Sequence, residues 1–139
     1  SGAPQQPIAI PEVAPALTTD SAITPAAPVV ILNTSSDANL GNFLVADNGG
    51  TLYRFTKDTP GVSNCTGQCA ANWPPYTVST AVPFVGGAGV SGKLATIVRD
   101  DGSEQLTYNN TPLYYWYKDL NVGDVNGQNV GGVWFVVQP

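Results

Sequence analysis

Two stretches of the sequence decide the fold: residues 52–58 read Leu-Tyr-Arg-Phe-Thr-Lys-Asp, and residues 113–119 read Leu-Tyr-Tyr-Trp-Tyr-Lys-Asp. A shift of 61 positions, from 52 to 113, superposes them without a gap, and the same shift places Trp73 on Trp134. The chain therefore contains an internal repeat. Because each half is too small to bury a core alone, the sequence predicts that the two halves pack as a pseudo-symmetric pair, with Trp73 and Trp134 as equivalent buried positions.

The rest of the chain alternates short apolar runs with turn residues, and it contains 15 Gly and 12 Pro. This pattern favours strands over helices. About seven short strands are predicted: Val29–Leu32, Phe43–Ala46, Leu52–Phe55, Leu94–Val98, Glu104–Tyr108, Leu113–Tyr117 and Val133–Val137. We therefore expect an all-β domain over residues 29–139, a small sandwich or barrel whose repeats span about 29–78 and 84–138.

The connections between these strands carry recognisable turn signals. Asp47-Asn48-Gly49-Gly50 is a strong hairpin turn, and Asn109-Asn110-Thr111-Pro112 should reverse the chain a second time. Residues 84–92 contain four glycines and are predicted to be a link without strand structure. Residues 70–72 are predicted to form a single helical turn, because Pro74 and Pro75 would stop a longer helix.

Composition narrows the classes of function. Charged residues make up 11% of the chain, against about 25% in typical soluble domains. The chain has no His and no Met, which excludes His-based acid–base chemistry and haem or copper sites with His or Met ligands. The net charge is -5 with five basic residues, which disfavours nucleic acid and anionic membranes as partners. We expect a non-enzyme with no cofactor and no metal site.

Cys65 and Cys69 are the two cysteines of the chain, in the stretch Cys-Thr-Gly-Gln-Cys. A zinc site needs about four ligands, and thioredoxin-like pairs are separated by two residues rather than three. The simplest interpretation is a disulfide across a Gly-containing turn. Such a bond would place the protein outside the reducing cytoplasm.

Residues 1–28 differ from the rest of the chain. They contain six Pro and seven Ala but no Lys or Arg, a composition that predicts an extended arm rather than a helix or a central strand. Aliphatic residues recur along this arm, and we expect them to anchor it to a protein partner: Ile8, Ile10, Val13, Leu17 and Ile23.

The repeats resemble a bacterial family of secreted lipoprotein repeats with tandem Y-x-[FWY]-x-x-D motifs. Residues 64–75 resemble the linker of that family, and residues 131–137 resemble its closing strand. The resemblance covers about residues 29–138 and implies export and a location in the cell envelope. A lipidated cysteine, which is frequent in the family, would lie upstream of Ser1. The two motifs consist of Tyr53, Phe55 and Asp58, and of Tyr114, Trp116 and Asp119.

Taken together, these patterns favour an exported, non-catalytic interaction module that docks through its arm, either on a second copy or on another subunit of an envelope complex. No apolar run is long enough to cross a membrane. One alternative is an accessory subunit of an envelope redox or electron-transfer complex. Another is a cell-wall glycan binder that would stack sugars on aromatic side chains: Tyr53, Tyr114, Tyr115, Trp116 and Tyr117.

The acidic residues allow two further interpretations. Residues 119–126 offer spaced oxygen ligands for Ca²⁺, although their spacing differs from that of an EF-hand loop. Asp100, Asp101 and Glu104 could be read as glycosidase carboxylates. Asp-Gly is also ordinary turn chemistry, which is the interpretation that we prefer for this site.

Overall fold

The computed structural model describes residues 27–139. Its strands are short and form three small sheets that do not close into a barrel. The elements in chain order are β1 (Val29–Asp37), β2 (Gly41–Ala46), β3 (Tyr53–Phe55), helix α1 (Gln68–Asn72), β4 (Phe84–Gly86), β5 (Leu94–Val98), β6 (Glu104–Tyr108), β7 (Thr111–Pro112), a 3₁₀ turn (Val130–Gly132) and β8 (Trp134–Val136). The all-β prediction is confirmed.

The three sheets join distant parts of the chain. The first has the order β2-β1-β4, the second pairs β3 with β8, and the third has the order β5-β6-β7. All pairs are antiparallel except β1 with β4, which is parallel. Because β3 belongs to the first repeat and β8 closes the second, the sheet formed by β3 and β8 joins the two repeats.

The core consists of two apolar clusters that share β2. Leu44 and Ala46 lie in the first cluster, whereas Phe43 and Val45 lie in the second. The motif segments divide in the same way: Leu52 and Leu113 enter the first cluster, and the tyrosine that follows each enters the second. Leu and Tyr therefore alternate between the two faces in each motif, and both faces are buried.

The predicted strand over residues 113–117 is wrong. The strand there is β7, and it ends at Pro112. Beyond it, successive residues bond to different neighbours: the N–H of Leu113 donates to Leu106, and that of Tyr115 donates to the carbonyl of Pro74. Pro74 and Pro75, which run beside this segment, have no N–H to donate, so a regular ladder cannot form between them.

The predicted link over residues 84–92 is also wrong in part, because it begins with β4. Gly87 follows the strand, and its N–H donates to the carbonyl of Leu32 at 2.7 Å. A Cβ at Gly87 would meet the side-chain amide of Asn33 and would lie 3.3 Å from the carbonyl oxygen of Leu32, so a larger residue here would require Asn33 to move. The turn after β6 is present at Asn109 and Asn110, both with positive φ, whereas the Thr and Pro that follow form β7.

Candidate functional site

The two motif tyrosines pair with each other through their main chains. The N–H of Tyr53 donates to the carbonyl of Tyr114 at 2.8 Å, and the N–H of Tyr114 donates to the carbonyl of Tyr53 at 3.0 Å. These residues occupy equivalent positions in the two repeats, and both side chains are fully buried. A reciprocal contact between equivalent residues marks a local pseudo-twofold axis, as in an isologous dimer interface.

Each motif tyrosine also reaches the motif aspartate of the other repeat. The hydroxyl of Tyr53 donates to Oδ2 of Asp119 at 2.5 Å, and the hydroxyl of Tyr114 donates to Oδ2 of Asp58 at 2.6 Å. The Y-x-[FWY]-x-x-D pattern is thus satisfied across the pair of repeats rather than within one copy. We call these four residues the Tyr–Asp interlock.

The remaining carboxylate oxygens of the interlock fix the loops that follow each motif. Oδ1 of Asp58 accepts the N–H of Asn64 at 2.6 Å, and Oδ1 of Asp119 accepts the N–H of Asn126 at 2.9 Å. The side chain of each aspartate therefore joins its own loop to the opposite repeat. Aspartate suits this position, because its side chain accepts main-chain N–H groups at turns.

Burial dominates the electrostatics of the interlock. It raises the pKa of the Asp58 and Asp119 carboxyls, against the lowering effect of the hydrogen bonds that they accept. The pKa values of the Tyr53 and Tyr114 hydroxyls are also raised by burial, and additionally by the bonds to the aspartates. The raised pKa values of the two tyrosines keep their hydroxyls protonated and able to donate to the aspartates, which suits a structural bond.

Four aromatic rings form a continuous stack across the pseudo-twofold. Trp73 and Trp134 lie face to face at its centre, with ring centroids 3.8 Å apart. Phe55 covers the outer face of Trp134 at 4.3 Å, and Trp116 covers that of Trp73 at 4.0 Å. Each motif thus places its second aromatic on the tryptophan of the other repeat. We call this set the aromatic stack.

Cys65 and Cys69 form the predicted disulfide, with Cα atoms 5.2 Å apart. The residue that holds this loop, Arg99, was not predicted from the sequence. Its guanidinium donates to the carbonyl of Cys65 at 2.8 Å, to Oγ of Ser63 at 2.9 Å and to Oε1 of Gln105 at 2.8 Å. Arg99 and the buried Gln105 lie on either side of one hairpin turn. This pair of polar residues is the sequence feature that could have indicated the role of Arg99.

The aromatics proposed for sugar stacking are divided between core and surface. Tyr53 and Tyr114 have no exposed surface and are unavailable to a sugar. Tyr115 and Trp116 are half-buried, and Tyr117 is 49% exposed. These last three line an open groove of about 380 Å³, which we call the aromatic groove; its apolar lining is completed by Pro74, Leu120 and Val122.

The acidic residues considered for calcium or catalysis bond to nearby protein groups. Oδ2 of Asp124 accepts the N–H groups of Leu120 and Asn121, each at 3.0 Å. Oδ1 of Asp101 accepts both the N–H and the hydroxyl of Ser103, and these bonds lower the pKa of the Asp101 carboxyl. Within residues 27–139, no group of three or more His, Cys, Asp or Glu side chains is arranged to hold a metal ion.

No helix of the described part of the chain is both long enough and apolar enough to cross a membrane. The predicted arm anchors Ile8, Ile10, Val13, Leu17 and Ile23 lie outside the described residues.

Comparison with known proteins gives one match to a family model, described as a secreted repeat of unknown function. The model matches twice, over residues 34–77 and 95–138, so that it covers more than half of the chain. The two matches are offset by 61 positions, from 34 to 95, which is the shift that superposes the motifs. No curated protein and no solved structure matches the chain.

Proposed function

The chain belongs to this family of secreted repeats, and from that premise we propose that it is an exported, non-catalytic interaction module of the cell envelope. Its N-terminal arm docks on a second copy of the chain and builds an assembly. The two repeats serve as a rigid core that carries the arm, and the disulfide suits a location outside the cytoplasm.

The Tyr–Asp interlock is the observation that carries the non-catalytic part of this proposal. The motif tyrosines are fully buried, and both carboxylate oxygens of each motif aspartate accept hydrogen bonds from the protein. A catalytic acid or base must reach a substrate within hydrogen-bond distance. The motif tyrosines and aspartates instead bond to each other, which supports a structural role for these four residues.

The arm is the natural binding element on sequence grounds. Residues 1–28 carry apolar anchors such as Ile8 and Ile10, which alternate around Ala9 and would face one side of an extended chain. Extended segments bind neighbours through main-chain hydrogen bonds and through alternate side chains that enter pockets. The absence of Lys and Arg from the arm favours association with a protein over association with an anionic membrane.

Sedimentation velocity on the full chain tests the proposal. Changing Ile8 and Ile10 together to Asp should dissociate the assembly, because two buried aliphatic anchors become charged. A matched control adds the same two charges at the polar positions Thr18 and Thr19 and should leave assembly intact. Both variants should keep the wild-type far-UV circular dichroism spectrum. Normal assembly of the Ile8→Asp, Ile10→Asp variant would refute the role of the arm.

An accessory role in an envelope electron-transfer complex is the second candidate, and the aromatic stack favours it. Trp134, Trp73 and Trp116 follow one another at centroid distances of 3.8 and 4.0 Å. A tryptophan radical generated at the half-buried Trp116 by a flash-oxidised ruthenium complex should spread to Trp73. Replacing Trp73 by Phe should then prolong the lifetime of the radical at Trp116. An unchanged lifetime would remove this candidate.

A further inference from the structure

The aromatic groove is an open surface lined by large apolar side chains that lie outside the core clusters. Tyr117 is 49% exposed, Leu120 is 81% exposed and Val122 is 76% exposed, although all three are large apolar side chains. They line the groove together with Pro74 and Trp116. An exposed apolar patch of this kind on a secreted domain marks a binding surface.

We propose that the aromatic groove is the acceptor site for the proline-rich segment of residues 4–15 from a second copy of the chain. This inference rests on the proposed function and names the surface on which the arm docks. The groove of one copy would hold the arm of the next, so that the same contact repeats along an assembly.

The chemistry of groove and segment is complementary. Grooves lined by aromatic side chains bind proline-rich peptides, because proline rings pack flat on aromatic faces and the polyproline II helix is already ordered. Pro4 and Pro7 are three residues apart, which is one turn of that helix, so they would present their rings on the same side. Ile8 follows directly and supplies an aliphatic side chain for the exposed rim.

Charge is complementary as well. Lys118 lies beside the groove, with its Nζ 5.6 Å from the ring centroid of Tyr117. The segment contains Glu12 and no basic residue, so it brings only negative side-chain charge to this cation. Asp119 also lines the groove, but both of its carboxylate oxygens already accept bonds from Tyr53 and Asn126. An ion pair between Lys118 and Glu12 would therefore fix the orientation of the segment in the groove.

The position of the groove favours a partner copy over the same chain. Tyr115 lines both the aromatic groove and the cavity that contains Val29, so the groove lies near the point where the arm joins β1. Residues 1–26 could span about 80 Å as polyproline II, whereas a domain of about 100 residues has a radius of gyration of about 13 Å. A segment of that length and proline content would be long enough to reach past its own domain to a second copy.

Sedimentation equilibrium on the full chain tests the groove. Leu120→Asp should raise the dissociation constant of the assembly at least tenfold, because it places a charge on the apolar rim. The matched control is Val98→Asp, since Val98 is 72% exposed and lies outside the groove. This control should assemble like the wild type. A charge exchange adds specificity: Lys118→Glu and Glu12→Lys should each weaken assembly about two- to fivefold, and their combination should restore it.

The outcomes separate this inference from the proposed function. If Leu120→Asp assembles normally while Ile8→Asp, Ile10→Asp does not, the arm docks elsewhere and the groove assignment is lost. If neither variant impairs assembly, the proposed function fails with it. A chain that remains monomeric, yet loses hydrogen-exchange protection at Tyr117 when residues 1–15 are deleted, would show that the segment binds its own domain and would overturn the exchange between copies.

Discussion

Trp73 and Trp134 stack with their ring planes 3° apart, although 61 residues of chain, from 73 to 134, separate them. Each is also edge-on to the motif tyrosine of its own repeat, Trp73 to Tyr53 at 5.4 Å and Trp134 to Tyr114 at 5.2 Å. The pair therefore lies on the pseudo-twofold of the molecule. Both tryptophans are 4% exposed, as the internal repeat predicted for equivalent core positions.

Replacing either central tryptophan should be costly. Trp73→Ala or Trp134→Ala should lower the free energy of unfolding by about 3–5 kcal/mol, because each change leaves a large cavity between the two repeats. The double variant should lose less than the sum, since the residues share one contact. Urea unfolding measures all three values, and Tyr117→Ala serves as a surface control. A loss below about 1 kcal/mol at both tryptophans would contradict the shared core.

The Tyr–Asp interlock should be measurable as a pairwise coupling. Tyr114→Phe removes one hydroxyl and should cost about 1–3 kcal/mol, because Asp58 keeps its buried carboxyl without that donor. The double-mutant cycle of Tyr114→Phe with Asp58→Asn should give a coupling of at least 0.5 kcal/mol, the lower end for residues in contact. The cycle of Tyr114→Phe with Asp119→Asn is the control, because Asp119 bonds to Tyr53. Equal couplings in the two cycles would speak against the crossed pairing.

The Asp58 carboxyl should make the free energy of unfolding decrease as the pH rises. Because burial raises the pKa of the Asp58 carboxyl, this group contributes stability that is complete below its unfolded pKa and is lost as the pH rises through its folded pKa. The Asp58→Asn variant lacks this term. Its unfolding free energy minus that of the wild type should therefore increase between pH 4 and pH 7. Urea titrations at four pH values measure it, and a decrease would mean that the ionised carboxylate is the favoured form.

Alkali should unfold the protein through its tyrosines. Burial raises the pKa of Tyr115 to about 12, and it raises the pKa values of Tyr53, Tyr76 and Tyr114 as well. These groups contribute stability that is complete below the ordinary pKa of about 10 and is lost at higher pH. Tyrosinate absorbance at 295 nm should rise together with the loss of near-UV circular dichroism. Ionisation of all six tyrosines in a chain that remains folded would be the contrary result.

Arg99 should stabilise the disulfide loop beyond the covalent bond. Arg99→Lys should lower the unfolding free energy by about 1–3 kcal/mol, because a single ammonium cannot reach all three acceptors of the guanidinium. Arg54→Lys is a matched control at an exposed position. Reduction of the disulfide alone should cost about 2 kcal/mol for so short a loop. Equal stabilities of the two Lys variants would remove the structural role assigned to Arg99.

Local patterns predicted the elements that depend on nearest neighbours. The strands β5 and β6 have the predicted bounds, since an apolar run and a tight turn set them both within a few residues. The strand expected over residues 113–117 is absent because its neighbour, Pro74-Pro75, lacks main-chain donors. Strand β4 was missed because its partner β1 is 55 residues away in sequence, with Val29 paired to Phe84. The local sequence of a segment does not show which distant segment it will lie beside in the fold.

The sequence by itself determined the repeat, the all-β class, the disulfide and the burial of equivalent tryptophans, because a duplicated pattern of apolar and turn residues constrains each copy in the same way. The tertiary structure alone decided that the motif is shared between repeats. A Tyr and an Asp five positions apart could bond within one strand end or across the pair, and only the pseudo-twofold brings Tyr53 to Asp119 and Tyr114 to Asp58. The aromatic groove arises in the same manner, since Pro74 meets Trp116 and Tyr117 only after the two repeats have packed.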